Sequence, residues 1–264
     1  LPLNWMDTKD LSFWSLLLLE ADQVGWLVNS NVPRRELGLA LRTNPAVEWF
    51  LRHKCPAVCP LVDEVLALAA GEEALDPRAV RRAEIAVMES LNDWLVYVVA
   101  PHIYDEQPFL GWDTGELLSL ADWRDKVVID IGAGTGRQTL AVAPQARAVF
   151  AVEPIANLRD YLKDKARRAG LSNVFPLDGL MTDIPLPEDT ADVTMSGHVF
   201  GDAPAEELAE MARVTKPGGQ IILCPGARST DEPDHRFLVD QGFTYALFEQ
   251  PRDGICIKYW LTLP

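Results

Sequence analysis

The sequence predicts a doubly wound α/β domain behind a separate α-helical region, and three observations carry that reading. Val127-Val-Ile-Asp-Ile131 is a short, mostly β-branched run of the kind buried on both faces; Gly132, Gly134 and Gly136 break it, and helix formers resume at Thr139-Leu-Ala-Val-Ala143. Downstream of this strand-turn-helix unit, short apolar runs alternate with helical periodicity to the end of the chain. Upstream, no convincing strand precedes Val127, so the first hundred or so residues read as helices alone.

Taken in order, Leu11, Trp14, Leu18, Ala21 and Val24 to Leu27 keep a helical spacing to about Val28, with Asn29 to Asn31 as the stop. Three start signals follow. Asn31-Val-Pro33, Asn44-Pro45 and Asp76-Pro77 each set a capping side chain just ahead of a proline suited to a first helical turn. The helices they open are expected to reach about Leu41, about His53, and, as one helix from Arg78, about Val99, where Pro101 ends it; Leu61 to Ala70 fits another, stopped by Gly71. Trp5, Trp14, Trp26, Trp49 and Trp94 fall in this region. Core packing is their expected use, and an aromatic wall around an apolar or planar acceptor is the alternative. Cys55-Pro-Ala-Val-Cys59, with His53 nearby, lacks the second Cys or His pair of a tetrahedral site, so no metal is expected there.

Pro101 to Arg124 is a bridge that carries Tyr104, Trp112 and a short helix at Thr114 to Leu120. After the glycines, Ala148 to Val152 reads as a second strand ending in Glu153, and Pro154 to Arg168 as a helix closed by Gly170, with Ile155, Leu158 and Leu162 on its apolar face. Asn173 to Leu177 is a third strand, Val193 to Ser196 a fourth, Ala205 to Val214 a helix, and Lys216-Pro-Gly-Gly219 the turn before a fifth strand at Gln220 to Cys224. Phe243 to Glu249 and Ile255 to Leu263, around Pro251-Arg-Asp-Gly254, read as a hairpin. Cys224 and Cys256 lie within these strands, where a thiol serves as a small hydrophobe.

Three glycines at alternate positions let a ligand approach the backbone closely, because no Cβ intervenes and positive φ is open to them. A dinucleotide fingerprint would need its third glycine where this chain has Arg137, which argues against a nucleotide-dependent dehydrogenase. The form Gly132-x-Gly134-x-Gly136, with Asp130 two residues ahead, resembles motif I of the class I S-adenosylmethionine (SAM) methyltransferases. The likeness extends to Glu153, to the loop from Asp178 to Asp192 with its Ile184-Pro-Leu-Pro187 turn, to Lys216-Pro-Gly-Gly219 and to the closing hairpin, over about residues 120 to 264. Within that family the sequence is most similar to the small-molecule methyltransferases with a type 11-like catalytic domain.

The resemblance implies a Rossmann-like, seven-stranded, mostly parallel sheet with only the last strand antiparallel, and SAM across the carboxyl ends of strands one, two and four. Residues 1–115 would form a helical lid or acceptor domain and residues 116–264 the SAM-binding domain. The implied cofactor site holds Asp130, Gly132, Ala133, Gly134 and Gly136, Glu153 on both ribose hydroxyls with Pro154 after it, and Ser196. The acid beside adenine falls on Asp178 or, without a gap, the position is Leu180; Met181 would pack on the ring, and Tyr104 and Trp112 would fold over the methionine end, unless they pack the bridge instead. The product would be S-adenosylhomocysteine (SAH).

Charge narrows the acceptor. The chain of 264 residues carries 24 Lys and Arg against 39 Asp and Glu, a net −15 without a basic cluster, which argues against a nucleic acid or an anionic membrane as partner. Leu16 to Leu19 is too short for a signal peptide or a membrane span, and four cysteines without a secretory signal suit a reducing cytoplasm. The first residue is Leu1 rather than Met, so residues upstream are expected. Methyl transfer from a sulfonium needs a general base only where the acceptor loses a proton. His198, in Ser196-Gly-His-Val-Phe200 after the fourth strand, is the best single candidate, its alternative being a histidine that shapes the methionine pocket; His235, at a charged helix start, is not expected to compete. A SAM-binding regulator or scaffold without turnover would show the same cofactor residues and stands as the alternative to an enzyme.

Overall fold

The computed structural model describes residues 5–71, 76–226, 229–250 and 254–264, and the chain divides into two compact units, Leu1–Asp105 and Glu106–Pro264. The first unit holds α1 (Ala21–Trp26), α2 (Arg34–Thr43), α3 (Pro45–Lys54), α4 (Cys59–Ala69), α5 (Pro77–Ser90), α6 (Asn92–Val99) and α7 (Pro101–Asp105). Its core is aliphatic, with Leu16, Leu27, Leu37, Leu51, Val65 and Leu95 fully buried. The glycine inside α2 has a packing reason: a Cβ on Gly38 would stand 1.9 Å from the Val65 carbonyl oxygen of α4.

Two helices expected to be continuous are broken. Phe13–Leu18 winds as a 3₁₀ helix capped by the Ser12 side chain, and a reciprocal Glu20–Gln23 capping box restarts the chain as α1. The second break, between α5 and α6, sets Asn92 where its side chain can tie down the start of the chain. Its Oδ1 accepts from the Trp5 and Met6 N–H groups at 2.9 and 3.2 Å, and its Nδ2 donates to the Met6 carbonyl at 2.7 Å. Of the three start signals, Asp76 caps through its side chain, whereas α2 begins after Pro33 without a capping side chain and Asn44 turns its amide to Glu84. Pro101 opens α7 as well as ending α6. The expected core role of the tryptophans fails at Trp14 and Trp49, each 61% exposed, because Leu and Val fill the interior.

The second unit holds α8 (Gly115–Leu118), α9 (Arg137–Val142), α10 (Ala156–Arg168), α11 (Pro204–Val214) and α12 (Pro233–Asp240) around one sheet. Its strands are β1 (Val127–Ile131), β2 (Ala148–Val152), β3 (Val174–Leu177), β4 (Ala191–Gly197), β5 (Thr215–Gly226), β6 (Thr244–Gln250) and β7 (Gly254–Thr262). The order is β3-β2-β1-β4-β5-β7-β6, parallel except for β7, which runs antiparallel to both neighbours. Successive residues of β1 feed opposite faces: Ile129 and Ile131 pack with Ile221 and Leu223, while Val128 packs with Val149, Val193 and Ile222. The strand order reverses between β1 and β4, so a crevice opens beyond their carboxyl ends, where Ile131 pairs with both Val152 and Ser196.

Lys216-Pro-Gly-Gly219 interrupts β5 rather than preceding it. Ala191 pairs with Thr215 and Val193 with Gln220, so the four residues loop out of the strand, with Gly218 at φ +74° and Lys216 paired to Asp192 at 2.8 Å. β6 and β7 form the expected hairpin; its residues 251–253 lie outside the described residues. Lys258 on β7 is 7% exposed and meets Glu116 of α8 at 2.6 Å, which fixes the bridge segment to the sheet. No helix among the described residues is long and apolar enough to cross a membrane.

Asn92→Ala would leave the Trp5 and Met6 N–H groups without their acceptor. It is expected to lower stability by about 1–3 kcal/mol, read as a lower midpoint in urea unfolding followed by tryptophan fluorescence.

Candidate functional site

The chain leaves β1 through Gly132, Gly134 and Gly136, with φ of +66°, +53° and +87°, all in the left-handed region that side chains resist. Space is as restrictive as angle. A Cβ on Gly132 would lie 2.5 Å from a Val199 methyl, and one on Gly136 would lie 2.0 Å from Leu162 Cδ1 of α10. The turn is also tied to β2, because the Gly132 and Ala133 N–H groups donate to the Val152 carbonyl at 2.9 and 3.1 Å and the Gly136 N–H closes on the Ala133 carbonyl at 2.8 Å.

Two acids sit under this turn. Asp130 is 1% exposed and accepts the Thr139 hydroxyl at 2.5 Å; Glu153 is 5% exposed and accepts the Gly134 N–H at 2.9 Å and the Ile155 N–H at 3.0 Å, one on each oxygen. Burial pushes both carboxyls up to about 7. For Asp130 the Thr139 hydrogen bond opposes the shift and the Glu153 charge adds to it; for Glu153 the two backbone N–H groups oppose it. Pro154 stands between the two ends of the Glu153 grip, its neighbour Ile155 supplying the second N–H.

The remaining predicted residues are placed as follows. Asp178 accepts from Arg159 Nη1 at 2.8 Å, and the same nitrogen donates to the Glu153 carbonyl at 2.6 Å, so Arg159 joins the ends of β2 and β3. The Asp178 side chain is 74% exposed and open to a ligand. Leu180 bridges to Asp183. Met181 is 9% exposed and packs in the core with Ile129, Val152 and Ile184, a site that makes it a core residue first. The Ser196 hydroxyl, 1% exposed, donates to the Ile131 carbonyl at 3.0 Å and so joins β4 to β1.

Each aromatic of the bridge packs within its own unit. Trp112 is 4% exposed in the core that contains Leu117, Trp123 and Val142, and its ring lies 6.2 Å from Phe248, so its indole packs the bridge. Tyr104 belongs to the first unit, with its ring 5.6 Å from Trp5 and 4.7 Å from Tyr97. His198 follows the last residue of β4 at φ +66°, a conformation that costs a non-glycine residue about 1–2 kcal/mol, with its ring edge-on to Phe109 at 5.5 Å. Cys224 is 2% exposed and burial pushes its thiol up to about 12, which keeps it a neutral core residue.

Sequence reasoning missed Arg137, Gln138, Thr139 and Arg159. Thr139 had a signal, since a buried Asp130 needs a donor and the next turn supplies one. Arg159 had a weaker one, as the basic residue on the first turns of α10 facing two strand ends. Gln138 had none that spacing shows, because its neighbour Gly197 is distant in sequence: a Cβ there would lie 2.1 Å from Gln138 Nε2.

This arrangement, a left-handed glycine turn locked over a buried acid at a strand-order reversal, defines a class of cofactor-binding α/β domain, and comparison with known proteins gives the family. Residues 129–223 match the model described as a methyltransferase domain. An uncharacterized methyltransferase of Mycobacterium bovis is 35% identical over 139 residues, 52% of this chain and 51% of that protein. One from Geobacillus kaustophilus is 32% identical over 167 residues, 61% of this chain and 74% of that protein. In fold, the chain is similar to a SAM-dependent methyltransferase from Aquifex aeolicus, with a TM-score of 0.50 at 21% identity over 61% of this chain and 96% of that one. The chain belongs to the SAM-dependent methyltransferase family. It spans about half the length of the mycobacterial relative.

The two acids give stability a pH dependence whose sign follows from the shifts. Their folded values of about 7 exceed the ordinary 3.8 and 4.5, so the folded chain holds protons that the unfolded chain releases, and stability falls as pH rises across that window. Asp130→Asn, which still accepts from Thr139, is expected to raise the melting midpoint by about 2–4 °C at pH 8 and to leave it unchanged at pH 4, by calorimetric scanning at both values.

Proposed function

We propose that the chain transfers the methyl group of SAM to a small-molecule acceptor and releases SAH. The observation that carries the reading is the Glu153 carboxylate, fixed under the glycine turn by one backbone N–H on each oxygen, which leaves a further lone pair on each oxygen for a ribose hydroxyl. Asp178, exposed beside it, suits the adenine amino group. The sulfonium already activates its methyl group, so the protein's task is to align two reactants and exclude water. A cationic cofactor also favours the ionised forms of Asp130 and Glu153, which offsets part of the cost of burying them.

A small acceptor fits the net charge of −15. A small cavity of about 10 Å³, room for about one water, is lined by Phe200, Leu223, Leu238 and Tyr259, with His235 among its polar residues. His198 is the base we favour for an acceptor that must lose a proton, because its strained backbone holds the imidazole one residue beyond β4. His235 is engaged elsewhere, its Nδ1 3.0 Å from the Tyr259 hydroxyl beside that cavity.

Titration calorimetry with SAH and with NAD separates this reading from a dehydrogenase; only SAH is expected to bind. Release of labelled methyl from SAM in a small-molecule extract separates an enzyme from a SAM-binding regulator. Glu153→Ala should weaken SAH binding at least about tenfold, and unchanged affinity in the folded variant would remove the ribose assignment. His198→Ala should lower turnover by about 10²–10⁴ with little change in SAM affinity; a parallel fall in both would make His198 a pocket residue instead of a base.

A further inference from the structure

The sheet ends in two edges that are built differently. β3, at one edge, is four residues long and carries Pro176, which has no N–H to offer a further strand. β6, at the other, runs for seven residues, and each of them pairs with β7 in unbroken register, without a proline or a bulge and with Glu249 as the one charge. Folded chains avoid leaving such an edge open, because its outward N–H and C=O groups are a template for another strand. Among the described residues no strand pairs with the outer side of β6. Its side chains add an apolar reason for a partner. Tyr245 is 43% exposed, Leu247 53% and Ile255, which lies across from Glu249 on β7, 60%, all on one face of the hairpin.

The strand complements itself. Set antiparallel to its own copy about a two-fold axis at Leu247, it brings Leu247 against Leu247, Tyr245 against Glu249, Ala246 against Phe248 and Thr244 against Gln250. This register pairs all seven residues, keeps Glu249 away from its counterpart, sets small against large on one face and places an apolar residue at the centre of the other. We propose that β6 is the self-association edge of the chain, pairing with β6 of a second copy so that the two sheets become continuous. The junction would close about six to eight backbone hydrogen bonds and cover the exposed Tyr245, Leu247 and Ile255 of both copies. Association stops at the dimer because the two-fold axis closes on itself and the opposite edge is blunted by Pro176. The net −15 of each chain opposes the approach of the two copies, and physiological salt screens that repulsion beyond about 8 Å.

The test is the mass of the whole chain by sedimentation equilibrium at physiological salt, from low micromolar to submillimolar concentration. A species of twice the 29.3 kDa chain mass is expected. Leu247→Lys and Leu247→Glu each set like charges against each other at the axis, and each alone is expected to weaken the dimer by about tenfold or more. An equimolar mixture of the two is expected to regain it, because residue 247 then meets the opposite charge. Melting midpoints establish that the variants fold. Should one of them fail to, Leu247→Cys takes its place: the two new thiols face each other across the axis, and mild oxidation is expected to give a covalent dimer in a yield that the wild type, with its own free cysteines, does not reach. A wild type that stays monomeric throughout, or a cysteine variant that cross-links no better than wild type, would overturn the proposal. So would a dimer that survives both charged variants, which puts the contact on another surface, or one lost in both and not regained in the mixture, which means that residue 247 does not meet itself.

Discussion

The hydrogen bond from the Gly134 N–H to the buried Glu153 carboxylate is the contact on which the site depends. It joins a backbone in a conformation that only glycine adopts freely to the end of the neighbouring strand, and it holds only while β1 and β2 stay in register from Val127 with Ala148 to Ile131 with Val152. Around it the turn has no room to relax. Leu162 of α10 fills the place of a side chain on Gly136, Val199 fills that on Gly132, and the Val152 carbonyl takes two of the turn's N–H groups. A cofactor meeting this surface meets fixed dipoles, so little reorganisation remains at the moment of binding.

That rigidity has an electrostatic cost. Both buried acids are withdrawn from water, and the Glu153 charge further disfavours ionisation of Asp130, the Asp178 charge that of Glu153. The cations nearby compensate the two acids only in part: the Arg159 guanidinium, bound to the Glu153 carbonyl and to Asp178, favours the Glu153 charge, while that of Arg137 turns to the Trp112 carbonyl. A fold selected for stability alone would place a cation against buried acids or replace them by apolar residues. Leaving them only partly compensated makes sense where a positively charged ligand completes the balance, which is the property of a sulfonium.

Much of the second unit was legible because strand and turn signals there are local. The β-branched run of β1, its glycines, and Glu153 at the end of β2 reveal a parallel unit before any coordinate is known, and the alternation after it gives the remaining strands. What escaped was settled by contacts distant in sequence. Nothing around Leu91 announces a helix break, because the cause is Asn92 reaching Trp5 and Met6. Nothing in Trp14 or Trp49 shows that Leu and Val already fill the interior. Motif likeness named Ser196, Met181 and Trp112 as cofactor contacts, and what it could not show is their work inside the chain, at the β4–β1 junction and in two cores. Spacing along the chain identifies a site's backbone better than it identifies which side chains are free to bind.

The strained backbone of His198 follows from the same turn. A left-handed conformation at a histidine persists only where its surroundings over-determine it. Here the next residue, Val199, is pressed against Gly132, and the imidazole itself lies edge-on to Phe109. The loop after β4 therefore cannot shift without disturbing the glycines, and the position of the imidazole is set by the element that would hold the cofactor. With Gln138 packed against Gly197 on the other side of His198, the end of β4 is clamped between two residues of the β1 junction. In the proposed reading, the cofactor turn and the His198 imidazole are thereby fixed by one piece of backbone, so a change at the glycine turn reaches both.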